Sequence, residues 1–508
     1  MTYKSIILLL FVIAKIVLQY LLINPEYQLH RDEYLHLDQA HHLAWGYLSV
    51  PPVTSWISYL IYMLGNSVFW VKFFPALFGA LTIVVVWKTV EELKGNLLAM
   101  VLAATSVLFS ALPRLNILYQ PNSLDILCWT TLFYLLIKYI NTESVKWLFA
   151  MAFVFAIGFL NKYTIAFLAI GLIPALIVTP QRTIFGQRNL YIAGLLALLI
   201  ILPNLIWQYQ NDFPVFYHLK TLADTQLVNV NRWDFLIGQL FFFIGSLLLI
   251  IVALAALLFY PPFKKYSFLF WALVFILALF TYLKAKDYYA IGLYPVFIAF
   301  GSVFLVEKLN TGWKKAVLAV FMISPVLTFA HTLRFLYPNK SPQYIMENQE
   351  MYKRYGTLRW EDGKDHHMPQ DYADMLGWEE LAIKVDSVCA AMPNLEQTIV
   401  LCDNYGMAGA INFYSNRNDY QAVSFNADYL NWIDLDVVYV DAILVKAAND
   451  EDPGRTEEIP LFDTVYLATK RIHPFARESE ISIYVLKGAK IDINERIHEE
   501  MLRKKNFQ

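Results

Sequence analysis

The chain has 508 residues, 58% of them hydrophobic and only 16% charged, with a mean hydropathy of +0.44. Soluble domains carry about a quarter charged residues, so a purely soluble protein is excluded. Lys and Arg number 40 against 42 Asp and Glu, a formal net charge of -2, which leaves no footprint for nucleic acid.

Apolar blocks of about 17–25 residues, the length that crosses a hydrocarbon core, fill the first two thirds of the chain. They predict eleven spans, at 5–23, 67–90, 97–113, 121–140, 146–160, 163–179, 190–207, 235–259, 267–283, 288–306 and 316–335. The first is followed by Asn24, Pro25 and Glu26 without a small-residue cleavage site, and reads as an uncleaved span. With the N-terminus cytoplasmic, the loops on that side collect Lys94, Lys146, Arg182, Arg188, Lys264, Lys265, Lys308, Lys314 and Lys315, as the positive-inside rule asks. An odd number of spans then places outside the cytoplasm the first loop (24–66), the connection at about 208–234 and everything after about 338. The predicted domains are a membrane domain at 1–337 and a soluble α/β domain at 338–508. In the latter the spacing predicts helices at 378–392 and 405–414 and strands at 398–403, 437–445, 463–469 and 481–486.

Three cysteines, Cys128, Cys389 and Cys402, make no disulfide framework and no zinc-ligand spacing. Cys128 reads as a packing residue, and Cys389 and Cys402 can pair only in an extracytoplasmic segment. No fixed-period repeat, Walker loop, GxSxG elbow or HExxH pair occurs, so ATP-driven transport and zinc-peptidase chemistry lose support.

The richest stretch is HRDEYLHLDQAHHLAWGYLSVPPVTSW at 30–56, with Asp32, Glu33, Asp38 and four histidines. An adjacent Asp-Glu pair at a span's outer end can supply a carboxylate of raised pKa, suited to a general base; the bland reading is a solvated acidic loop. Asp125, near the outer end of a span, is a functional candidate because an ionisable group there is costly. For Lys15, inside the first span, an ion pair or snorkelling is expected. Trp45, Tyr47 and Pro51-Pro52 suit an interfacial anchor and a helix-stopping turn. In the 208–234 connection, Trp207, His218, Lys220, Asp224 and Arg232 suggest a lid or an acceptor-binding wall.

The string from Arg31 through His42, with Ala44, Trp45, Gly46, Tyr47, Pro51 and Pro52, resembles the first extracytoplasmic loop of the bacterial family 39 glycosyltransferases, relatives of protein O-mannosyltransferases and of the lipid A aminoarabinose transferase. The resemblance continues through Asp125 in NSLDILCW, LNKYT at 160–164, LKAKDYYAIGLYP at 283–295, ADMLGWEELAIKV at 373–385 and DNYGMAGAINFY at 403–414. It implies a GT-C fold, an active site at the outer face of a bacterial inner membrane and a polyprenyl-phosphate sugar donor. The implied acceptor is an extracytoplasmic lipid, glycan or protein. Asp32 matches the catalytic base or acceptor-orienting residue, and Glu33 beside it reads as its support.

Transfer from a lipid phosphate, with inversion, needs one carboxylate and several cations. Lys162, Lys286, Lys284 and Arg114 are the candidate phosphate partners, with Tyr288 and Tyr289 as hydroxyl donors. Asp125 and His42 are candidate substrate contacts. No cofactor is expected to be required: the spacing of Asp32, His36, Asp38, His41 and His42 permits a divalent metal, but a monophosphate donor does not call for one. The rival reading is a polyprenyl-lipid or glycolipid flippase, which predicts inverted repeats and discontinuous helices; a binding sensor or scaffold is a third.

Overall fold

The structure is a computed structural model and describes residues 2–309 and 311–507. Among these, six helices are long and apolar enough to cross a membrane: Tyr3–Leu21, Val68–Glu92, Asn122–Thr142, Arg188–Gln210, Asp287–Leu309 and Lys314–Thr332. Two further apolar helix pairs are sharply bent, Thr164–Ile177 with Pro180–Gly186 at 111° and Arg232–Phe241 with Ile244–Phe259 at 64°, and Leu97–Leu108, Lys146–Asn161 and Phe268–Tyr282 are shorter apolar helices. Every predicted span thus meets a helix. What hydropathy alone does not anticipate is the break at Phe242–Phe243 inside the apolar run 235–259, nor the short helix Val53–Met63 after Pro51-Pro52.

The helices leave their polar residues at two opposite ends. One end gathers Glu92, Lys138, Asn141, Lys265 and Tyr266: Asn141 donates to Glu92 at 2.8 Å and accepts from Lys265 at 2.7 Å, and Lys138 pairs with Glu92 at 2.9 Å. The other end gathers Asp32, Arg114, Gln120, Lys162 and Lys286, with the segments that follow Thr332. Lys15 departs from both expectations made for it. It is buried within its helix and donates to the Gln19 amide, whose nitrogen in turn donates to the Pro113 carbonyl at 3.0 Å.

Beyond residue 341 lie short helices and a five-stranded mixed sheet in the order β2-β1-β3-β5-β4, where β1 is Thr398–Cys402, β2 Ala422–Ser424, β3 Asp441–Ala447, β4 Phe462–Ile472 and β5 Glu480–Ala489. β1 is parallel to β2 and β3, and β5 runs antiparallel between β3 and β4. The helices Trp378–Ala390 and Tyr405–Tyr414 lie where the spacing predicts them, while β2 and the C-terminal helix Ile493–Phe507 were not anticipated. Cys128, Cys389 and Cys402 are buried free thiols.

One contact between helices decides how the sheet region meets the first loop. Helix Tyr405–Tyr414 crosses the short helix Arg31–Asp38 through Gly406 and Gly409, three residues apart and so on one face. A Cβ on Gly409 would stand 2.7 Å from Tyr34 Cβ and 2.6 Å from the Tyr429 hydroxyl, and one on Gly406 3.0 Å from Arg31 Cβ. Nothing larger than glycine permits this approach.

Candidate active site

The helix Arg31–Asp38 begins with a capping box. Nδ1 of His30 accepts from the Asp32 N–H at 3.2 Å, and Glu33 accepts from the His30 N–H at 2.6 Å. The box gives the two adjacent acids opposite fates. Glu33 is fully buried and saturated: Lys72 Nζ reaches its two oxygens at 2.7 and 2.8 Å, and the Tyr119 N–H donates at 2.6 Å. Its placement is that of a structural anchor rather than a reacting group. The Asp32 side chain stays 34% exposed and is the carboxylate a ligand can reach.

Asp32 accepts from Tyr405 Oη at 2.6 Å and from Gln120 Nε2 at 2.9 Å. Burial raises its carboxyl pKa, but the His30 imidazole, the Arg31 guanidinium and the Tyr405 hydroxyl outweigh that and hold it below the usual carboxylate range. The expected raised pKa is therefore corrected. The neighbour meant to raise it, Glu33, has its charge matched by Lys72, while Asp32 faces cations.

From Asp32 a chain of side chains runs to the predicted lysine. Gln120 donates to Asp32, Asn122 donates to Gln120 Oε1 at 3.0 Å, and Lys162 Nζ donates to Asn122 Oδ1 at 2.6 Å. Lys162 lies in extended backbone between two helices, and its neighbours tie that break to the start of helix Asn122–Thr142. Asn161 donates to the Pro121 carbonyl at 2.8 Å and Thr164 to Asp125 at 2.9 Å. Asp125 also accepts from Trp129 Nε1 at 3.1 Å. It is buried and braces the break that carries Lys162.

Lys162 Nζ sits 4.4 Å over the Tyr289 ring and 5.3 Å from the centre of Tyr288, so the three predicted groups form one cluster. Lys286 belongs to the same charge field and pairs with Glu361 at 2.5 Å. Arg114 is likewise engaged: it pairs with Asp371 and stacks 5.3 Å from the centre of Tyr372. Asp371 lies 3.9 Å from His30 Nε2, with Asp374 at 3.5 Å, which links Arg114 through His30 to Asp32.

Burial opposes a charge on His30, yet Asp32, Asp374 and Asp371 raise its pKa to about 9. The cap needs Nδ1 bare, so protonation exchanges the Asp32 N–H for an ion pair with Asp32 Oδ2, 3.8 Å away.

Two predicted contacts fall elsewhere. Lys284 adopts a left-handed backbone (φ 53°) and lines the cleft formed by Val228–Trp233, with no hydrogen bond or ion pair to the Lys162 cluster among the described residues. His42 stacks on Trp432 with centroids 4.3 Å apart, and burial lowers its pKa to about 4. It makes a neutral contact to the sheet region.

The other histidines part company: His36 faces Gln39 and Tyr119, and His41 faces Tyr62. Among the described residues no three His, Cys, Asp or Glu side chains are arranged so that they could hold a metal ion. Residues the motif reading missed are Gln120, Asn122, Asp371, Glu361 and Tyr405. Gln120 and Asn122 stand just before Asp125 and could have been weighed with it; the other three come from the far end of the chain.

Residues 49–207 match the family model described as dolichyl-phosphate-mannose-protein mannosyltransferase. That range takes in Arg114, Asp125 and Lys162 and begins after Asp32. A curated relative, the lipid A galacturonosyltransferase RgtD of Rhizobium johnstonii, is 24% identical over 206 residues, 38% of this chain and 43% of that protein. The matched segment thus spans less than half of the relative's length. Two crystal structures of ArnT from Cupriavidus metallidurans, one bound to undecaprenyl phosphate and one apo, share the fold. Their TM-scores are 0.64 and 0.62 at 14% and 13% identity, and each comparison covers 95% of this chain and 98% of that one. The GT-C fold expected from the sequence, with its C-terminal sheet region, is the fold observed.

Proposed function

We propose that this chain is an integral membrane glycosyltransferase that moves a sugar from a polyprenyl-phosphate donor to an extracytoplasmic lipid, glycan or protein. The observation that carries the reading is the continuous path from Asp32 through Gln120 and Asn122 to Lys162. It joins a reachable carboxylate to a cationic, tyrosine-lined centre at one end of the helix bundle. Transfer needs both at one locus. The mannosyltransferase family match, the galacturonosyltransferase relative and the undecaprenyl-phosphate complex of ArnT support the same class.

In this scheme the acceptor hydroxyl attacks the anomeric carbon as the bond from that carbon to the phosphate oxygen breaks, inverting the centre. Its proton passes to the Asp32 carboxylate, and polyprenyl phosphate departs. A carboxylate held low in pKa is a weak base. Its main contribution is to orient the hydroxyl and to accept the proton late, as an oxocarbenium-like centre forms. Lys162, Lys286 and the Tyr288 and Tyr289 hydroxyls would meet the charge that grows on the leaving phosphate. The ion pair of Lys286 with Glu361 must then open to admit it.

The end of the bundle that holds Lys138 and Lys265 would face the cytoplasm by the charge rule. The Asp32 end, with the domain at 338–508, would face the periplasm of a bacterial inner membrane. Purified protein incubated with a panel of polyprenyl-phosphate sugars, with the carrier lipid analysed by mass spectrometry, tests the proposal. Release of free polyprenyl phosphate is expected with one donor, and lipid translocation without release from any donor would replace the reading by the flippase.

A further inference from the structure

Near Tyr405 lies a group of charged side chains that the transfer scheme leaves unused. Arg471, on β4, is wholly buried, and none of its three guanidinium nitrogens has a hydrogen-bond partner among the described residues. A buried, unmatched guanidinium is strongly disfavoured. It packs against Gly377, the residue that begins helix Trp378–Ala390: a Cβ there would lie 3.2 Å from Nη1. That places the cation near the positive end of a helix, which adds to the imbalance.

Two more nitrogens nearby lack partners, Arg31 Nε and His473 Nδ1. The acids in electrostatic range are Asp374, Glu478 and Asp32 for Arg31, the last engaged by Tyr405 and Gln120, and Glu478 and Glu380 for Arg471. Glu478 spends Oε1 on Asn404 Nδ2 at 3.3 Å, and its Oε2 is unpartnered. Asp374 is taken by Arg477 at 3.1 Å and His30. His473, Arg477 and Glu478 on the β4–β5 turn are half-buried. Unmet donors outnumber unmet acceptors, and they include a planar fork suited to oxyanions.

We infer that Arg471, with Arg31 and His473, forms a second anion pocket, distinct from the Lys162 cluster, that takes a tetrahedral oxyanion of the phosphate-monoester class. Such a group offers more acceptor oxygens than a carboxylate. Arg31 stacks 4.6 Å from the centre of the Tyr405 ring and Tyr405 binds Asp32, so a ligand held here by its phosphate lies beside the reactive carboxylate. The binding claim stands whether or not the transfer reading does.

Thermal unfolding of the full chain in detergent, titrated with inorganic phosphate, tests it. The wild type should gain several degrees, R471M should gain none yet melt no lower than wild type without phosphate, and K162Q should keep the gain. If R471M does not fold, E478Q substitutes: it removes the competing acid and should enlarge the gain. Mixed micelles of phosphatidic acid against phosphatidylcholine separate the sources. A gain from phosphatidic acid that R471M abolishes identifies a lipid headgroup, and a gain from inorganic phosphate alone identifies a soluble ligand. No gain in wild type, a gain lost in K162Q, or a destabilised E478Q insensitive to phosphate would overturn the pocket; the last result would make Arg471 and Glu478 a structural ion pair.

Discussion

Tyr405 donates its phenol hydrogen to Oδ1 of Asp32 at 2.6 Å, across 373 residues of sequence. The region after the membrane helices is therefore part of the candidate site and not an appendage to it. Asp32→Asn should leave folding intact and reduce sugar transfer at least 100-fold, on the scale general-base groups contribute. Tyr405→Phe should cost roughly tenfold. It should also move the acidic limb of the pH–rate profile upward, because the hydroxyl is one of the groups that hold the Asp32 pKa down.

Glu33 and Lys72 should behave differently from Asp32. Both are buried and paired at 2.7 Å, and removing one partner strands the other, at a cost of about 3–5 kcal/mol. Glu33→Gln and Lys72→Met are expected to reduce the yield of folded protein in size-exclusion profiles, and whatever folds should retain the donor specificity of the wild type.

Gly409→Ala probes the docking of the two helices. Its new Cβ meets Tyr34 and Tyr429, an overpacking cost of about 1–3 kcal/mol. The tip of Tyr405 should retreat from Asp32, giving a loss of activity comparable to Tyr405→Phe with protease sensitivity increased at the 403–414 segment.

Glu361 occupies Lys286, so donor phosphate must displace a carboxylate. Glu361→Gln is expected to tighten binding of polyprenyl phosphate by several-fold, measured by ligand-induced thermal shift, and Lys286→Gln to weaken it. Equal affinity in all three proteins would remove Lys286 from the phosphate site.

Stability should fall as pH rises. Burial raises Asp38 to about 7 and Asp428 to about 6, and both hold the first loop to the sheet region. Asp38 accepts from Tyr429 at 2.5 Å and Asn412 at 2.7 Å, and Asp428 accepts from Gln39 at 3.0 Å and Leu48 N–H at 2.8 Å. The folded state binds more protons than the unfolded one between about pH 4 and 7, so these groups favour folding at the acidic end and lose that advantage through the window. His30, raised to about 9, adds a loss between about pH 6.5 and 9. Below about pH 6.5 the histidines of lowered pKa, His42 among them, act in the opposite sense, so melting temperature should decline from about pH 6.5 to 8, and Asp38→Asn should flatten the part of that decline near pH 7.

The apolar helices, the helices Trp378–Ala390 and Tyr405–Tyr414 and four of the five strands of the C-terminal sheet were legible in the sequence because hydrophobic length and period follow directly from the solvent each segment meets. Asp32, Lys162 and the Tyr288-Tyr289 pair were singled out by the family resemblance, and the structure brings Lys162 and the two tyrosines together. Tertiary structure alone decided which acid stays reachable, since Asp32 and Glu33 are adjacent in the chain and Glu33 is held inward by the His30 backbone N–H, Lys72 and the Tyr119 N–H. It also decided the Asp32 pKa, the Gln120-Asn122 path and the entry of Tyr405. These depend on distances between side chains far apart in sequence, and a carboxylate's charge state is set by the sum of its neighbours rather than by its position in a string.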